Sequence, residues 1–222
     1  MDEIGAVAVL ADAVRRRLFD AVTGATAAVG REEAARLASV PLHSARFHLD
    51  RLVDAGLLET SYARLTGRSG PGAGRPAKLY RRSPVEVAVT LPPRSYDLVG
   101  GVLASAFERT LAGADAEESL HEEARARGRA LATAYDGTGD DLERVCGVLA
   151  GEGYQPSLVG DELCLRNCPF DALATRHTAL VCGVNLDVVS GVLDALGSSA
   201  RARLEPDGEH CCVRISAGPE NA

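Results

Sequence analysis

Ser44–Glu59 reads SARFHLDRLVDAGLLE, and Gly74–Arg81 reads GRPAKLYR. In the first stretch Ala45, Leu49, Leu52 and Val53 recur as the apolar stripe of a helix, while His43, Ser44, Arg46, Phe47, Asp50 and Arg51 fall on the opposite face. This helix should start near Leu42, behind the break Ser39-Val40-Pro41, and run to Ala55, with Gly56 as a left-handed cap. After Gly56 the period becomes that of strands. Leu57–Leu65 reads as one strand and Ala77–Arg81 as its partner. Between them Thr66–Pro76 holds four glycines and two prolines, a composition that packs no core and forms a hairpin tip.

Upstream, residues 4–23 place Leu10, Val14, Leu18, Ala21 and Val22 on one helical face, and Arg31–Ala38 makes a second, short helix. Three helices followed by a hairpin with a long basic tip is the winged helix-turn-helix pattern. The charge supports it. Residues 1–94 carry 14 Lys/Arg against 10 Asp/Glu, whereas residues 95–222 carry 10 against 21, within a chain of net charge −7. A basic block inside an acidic protein is suited to phosphate contact. A short helix can enter the major groove with polar side chains at base edges while a hairpin tip reaches flanking backbone. The candidate DNA contacts are therefore His43, Ser44, Arg46 and Arg51 on the third helix, with Arg68, Arg75 and Lys78 in the hairpin.

The remaining chain reads as a helical segment, residues 95–136, interrupted near Gly113, and then a domain over residues 137–222. That domain is a helix at Asp141–Gly151, two strands around Gly160-Asp161, a helix at Ala179–Leu196 and two strands around Pro206-Asp207-Gly208. The fold class expected is thus α+β: a winged helix-turn-helix domain over residues 1–94, a helical linker and dimer segment, and a C-terminal α+β domain. The acidic start, without a basic n-region, and the shortness of apolar runs such as Leu180–Val184 point to a cytoplasmic chain with no membrane partner.

All six cysteines lie in the second half: Cys146, Cys164, Cys168, Cys182, Cys211 and Cys212. In a reducing compartment, grouped thiols serve as soft metal ligands or oxidant sensors more readily than as disulfides. Cys146 sits on the apolar face of its helix and reads as core. Cys168 precedes Pro169, where a helix start would turn its sulfur toward backbone N–H groups. Strand alternation sends Cys211 to the apolar face of Val213 and Ile215, and Cys212 to the face of Arg214. On the same logic Cys164 shares a face with Arg166. No Cys-x2-Cys pair occurs, which excludes a zinc ribbon or a ferredoxin run. No phosphate loop or nucleotide fingerprint is present, and no motif supplies a carboxylate to orient a Cys–His pair, so the chain reads as a binding protein and not an enzyme.

The two opening motifs resemble those of the winged-helix regulators related to the ArsR and MarR groups, in which Gly-Arg-Pro lies in the wing. NCPF at 167–170, LVC at 180–182 and HCCV at 210–213, behind such a domain, are similar to the iron–sulfur repressors that control Suf cluster-assembly operons. The resemblance implies a cluster, of the 4Fe–4S kind, held by Cys168, Cys182 and Cys211, with Cys212, Cys164 or His177 as fourth ligand. Zinc on Cys168, His177, Cys182 and Cys211 is the alternative. It further implies a homodimeric repressor reading an inverted repeat in double-stranded DNA. A small-molecule sensor on the same scaffold is a third reading.

Overall fold

The computed structural model describes residues 3–64, 76–160, 162–206 and 211–218. They fall into two compact units, Met1–Val89 and Thr90–Ala222.

In the first unit the expected single helix over residues 4–23 is broken into α1 (Glu3–Ala8), a 3-10 turn (Val9–Ala11) and α2 (Ala13–Thr23). Asp12 causes the break. Its carboxylate accepts the backbone N–H groups of Val14 and Arg15, both at 2.9 Å, and so caps a new helix. Then come β1 (Val29–Gly30), α3 (Arg31–Leu37), α4 (Leu42–Asp54), β2 (Leu58–Ala63) and β3 (Ala77–Arg82). Ser39, with φ of 53°, makes the left-handed turn between α3 and α4, and Gly56, at φ 72°, turns α4 into the strands. The three strands form an antiparallel sheet in the order β1-β3-β2. Leu18, Ala34, Ala45, Leu49, Leu52, Leu58 and Tyr80 are buried in one cluster, so the apolar stripe of α4 faces the core while His43, Arg46, Phe47 and Arg51 stay exposed.

The second unit comprises α5 (Tyr96–Leu111), α6 (Ala116–Ala134), α7 (Asp141–Gly151), β4 (Pro156–Val159), β5 (Glu162–Leu165), α8 (Asp171–Ala174), α9 (Thr178–Leu196), β6 (Arg201–Leu204) and β7 (Val213–Ser216). Its antiparallel sheet runs β4-β5-β7-β6. Leu163 pairs with Ile215 on the face that α9 covers; Cys164, Arg214 and Arg203 lie on the other face. The segment 95–136 does not stand apart as a linker. It packs into this unit, because α6 and α9 approach through glycine: a Cβ at Gly128 would stand 2.0 Å from the Val188 carbonyl oxygen, and one at Gly191 would stand 2.2 Å from that of Arg125. Arg125 and His121 of α6 then pair with the buried Asp187 of α9. By length and composition the 19-residue α9 could cross a membrane, with a mean hydropathy of 1.7 over its most apolar 18 residues. Here it is the central core helix, with Val184, Val188, Val189 and Val192 buried.

Candidate nucleic-acid interface and thiol centre

On α4, Arg46 and Arg51 are exposed with His43, while the Ser44 hydroxyl donates to the Pro41 carbonyl at 3.0 Å and closes the first helical turn. Ser44 is thus engaged locally, leaving its oxygen as an acceptor. Arg46 approaches Asp50 at 3.8 Å. Lys78, on wing strand β3, donates to the same carboxylate at 2.7 Å and lies 5.2 Å from the centre of the Tyr80 ring. That hydrogen bond raises the Lys78 pKa above its ordinary value. An open hollow of about 700 Å³ is lined by residues of both helix and wing, Arg31, Arg46, Asp50, Tyr62, Lys78 and Tyr80 among them. Arg68 and Arg75 lie outside the described residues.

Phe47 and Tyr62, 62% and 64% exposed, stand beside these cations. The sequence did mark Phe47, as an aromatic on the polar face of an amphipathic helix. Exposed apolar groups at a groove-entering helix can meet thymine methyls.

In the second unit, four of the six thiols form a chain. Cys168 donates to Cys211, Cys211 to Cys212, and Cys212 to Cys182. Alternation had assigned Cys211 and Cys212 to opposite faces; the structure places both near partners. The reason is local: the backbone bends at Cys212, and β7 begins only at Val213. Cys168 lies in the loop after β5, held by Asn167, whose amide donates to the Pro93 and Gly153 carbonyls at 2.9 and 2.6 Å. Arg94 completes the clamp, donating to Asn167 Oδ1 and to the Cys168 carbonyl.

The hydrogen bond to Cys211 and burial together raise the Cys168 pKa, while the Phe170 N–H, which the sulfur accepts, works against them. Burial raises that of Cys182. At Cys211 the donation from Cys168 lowers the pKa, but the bond to Cys212 and burial prevail and push it up to about 11. The Cys211 sulfur also accepts the Val213 N–H and, at 3.0 Å, the Asn185 amide.

Two candidates fall away from this centre. Cys164 is on the opposite sheet face, where Arg214 donates to its sulfur. His177 is exposed at the N-terminus of α9. Cys146 packs beside the core on α7, as expected. Among the described residues no three His, Cys, Asp or Glu side chains surround a point where a single metal ion could sit.

Residues 10–61 match the family model of a helix-turn-helix domain, spanning α2 to β2. That match supports a DNA-binding transcriptional regulator. No curated protein matches the chain. Among solved structures, human N-acetylserotonin methyltransferase in complex with SAM is similar at 19% identity, over 68% of this chain and 52% of that one, with a TM-score of 0.27. The chain therefore spans about half the length of that protein.

Proposed function

We propose that this helix-turn-helix regulator is a cytoplasmic, homodimeric repressor whose operator affinity is set by an iron–sulfur cluster on Cys168, Cys182 and Cys211, with Cys212 as the fourth ligand. The observation that carries the reading is the meeting of these four thiols from a loop, a helix and a bent strand in one partly buried place. The donor set fits such a group: soft sulfurs, with N–H donors from Phe170, Val213 and Asn185 directed at two of them. When bound, the cluster would supply an oxidant-labile, redox-active link between those three segments. The sulfurs follow one another in a chain, so an ion or a cluster held by them would have to draw them around a common centre. Loading a cluster would spread the thiol pairs apart.

Two copies would present their α4 helices to half-sites of an inverted repeat about 34 Å apart. The segment expected to join them gains support from α5, which exposes Phe107 and Leu111 at 62% and 72%. To change occupancy tenfold, the filled site need bias the two dimer states by only ~1.4 kcal/mol. The chain's role is binding, with no catalytic step.

The contacts Cys168–Cys211 and Cys182–Cys212 favour a second reading, in which these pairs form disulfides under oxidant and act as the switch themselves. Anaerobic purification, with iron, sulfide and visible absorption measured after reconstitution, tests the first. Colourless, iron-free protein rejects it, and mass mapping of disulfides after peroxide treatment then tests the second.

A further inference from the structure

Asn185 is fully buried on α9, three residues after Cys182, at a position whose periodicity belongs to the core. Around it are Val181, Val184 and Val188, and Phe170 stacks edge-on to Tyr154 with ring centres 6.2 Å apart. An amide in such surroundings costs free energy unless every strong polar atom is matched. Both ends of this one are. The Tyr154 hydroxyl, itself only 2% exposed, donates to Asn185 Oδ1 at 2.5 Å, and Asn185 Nδ2 donates to Cys211 Sγ at 3.0 Å.

The order of the chain matters. Because a tyrosine hydroxyl donates to the carbonyl end, the N–H end is turned to the sulfur. A sulfur that already accepts the Val213 N–H then has a second N–H donor. Two N–H donors that do not depend on any thiol proton are what a thiolate ligand at this position would need, and they persist when Cys168 and Cys211 both give up their protons. Packing alone would be served by leucine.

We propose that Asn185, oriented by Tyr154, is a positioning residue for Cys211: its amide hydrogen bond fixes the sulfur's direction and withdraws charge from it, which raises the reduction potential of the group held there and slows its loss. This rests on the cluster reading given above. Hydrogen bonds to ligand sulfurs are an established lever on such potentials. Its partner on the same sulfur, the Val213 N–H, is backbone, so Asn185 is the side chain through which the effect can be varied.

The test uses the full-length chain, reconstituted anaerobically with iron and sulfide, as wild type, Asn185→Leu and Tyr154→Phe. Asn185→Leu leaves the buried Tyr154 hydroxyl without its acceptor, so the urea midpoint of the metal-free protein should fall, while Tyr154→Phe removes that hydroxyl and should change it less. In the loaded protein it should lower the midpoint potential so that the oxidised-to-reduced ratio at a fixed applied potential rises about tenfold, equivalent to about 59 mV for one electron. Its rate of iron loss to a chelator should rise by a similar factor. Tyr154→Phe, which removes a single oxygen, should shift both in the same direction by less, and it carries the test if Asn185→Leu does not fold. Wild type that binds iron and sulfide, with variants matching it in potential and loss rate, overturns the positioning role and leaves the cluster reading intact. Wild type that takes up neither overturns both.

Discussion

The Lys78 ammonium on wing strand β3 and the Asp50 carboxylate on helix α4 are joined at 2.7 Å, so the two elements that would read DNA are tied to each other by one ion pair. Tyr80 also lies within reach of Asp50, at 3.4 Å, and Arg46 approaches it at 3.8 Å. The carboxylate is thus a brace for the wing and a counter-charge for two residues read as DNA contacts. Each partner is about a third exposed, so the stability at stake is small and falls with salt. Since the pair raises the Lys78 pKa, its contribution is complete at neutral pH and is lost only as pH rises through that raised value.

Replacing Asp50 by Asn should release positive charge toward phosphate. Affinity for duplexes of unrelated sequence should increase, and the slope of log K against log salt should steepen by about one phosphate contact. Specificity for the operator should fall, because the wing is no longer braced. Fluorescence anisotropy at several salt concentrations checks this; an unchanged slope would remove Lys78 from the interface.

The thiol centre separates the six cysteines into classes. Ser at Cys168, Cys182 or Cys211 should each cut bound iron by more than about tenfold, given that even outer-shell changes at metal sites cost ~10–100-fold. Ser at Cys146 or Cys164 and Ala at His177 should leave iron content as in wild type, since these side chains sit on a core helix, the far sheet face and the exposed start of α9. Cys212→Ser decides the fourth ligand. Iron and sulfide assays on anaerobically purified variants give the answer, and a loss of iron in Cys164→Ser would contradict the geometry.

Some of this was legible in the sequence and some was not, for physical reasons. The apolar stripe of α4 and the glycine-rich tip after it carry strong local signals, and the helix-turn-helix followed from them. The break before α2 was also readable, because Asp12 followed by a new apolar period is an N-cap signature, but the alanine-rich run on both sides masked it. Strand β1 has two residues, too few for any period, and exists because Val29 and Gly30 pair with Tyr80 and Leu79. Cys212 was assigned by strict alternation, which a bend one residue before β7 defeats. Asn185 gave no signal at all: one polar residue in an apolar helix looks the same whether it meets a sulfur or another side chain. Segment 95–136 was read as a linker because nothing local reveals that Gly128 and Gly191 let two helices touch.

That close approach gives a stability prediction. Gly191→Ala inserts a methyl group 2.2 Å from the Arg125 carbonyl oxygen, and since both sides are helix backbone, the helices must separate. Overpacking of this kind costs ~1–3 kcal/mol or more. Separation would also strain the pairing of His121 and Arg125 with Asp187. The urea midpoint of the variant should fall accordingly, and iron retention with it, because α9 carries Cys182. Gly183→Ala, on the same helix with nothing within 4 Å of the added carbon, is the control: it should leave iron retention unchanged and hold or raise the urea midpoint, since alanine favours the helix.

Phe107 and Leu111 stand one turn apart on α5, both more than half exposed, on a helix whose Leu98, Val99 and Val102 are buried. Two large apolar groups at that spacing form a stripe which water tolerates poorly, and a second copy crossing it would bury them reciprocally about a two-fold axis. On the proposed dimer, the double change Phe107→Glu with Leu111→Glu should therefore yield monomer in sedimentation while leaving the thermal unfolding transition in place, since neither side chain is in the core. Binding to an inverted repeat should drop steeply because the two half-sites lose their linkage, whereas the weak affinity for a single half-site should persist. A variant that sediments as a dimer would assign the two-fold to another surface of the chain.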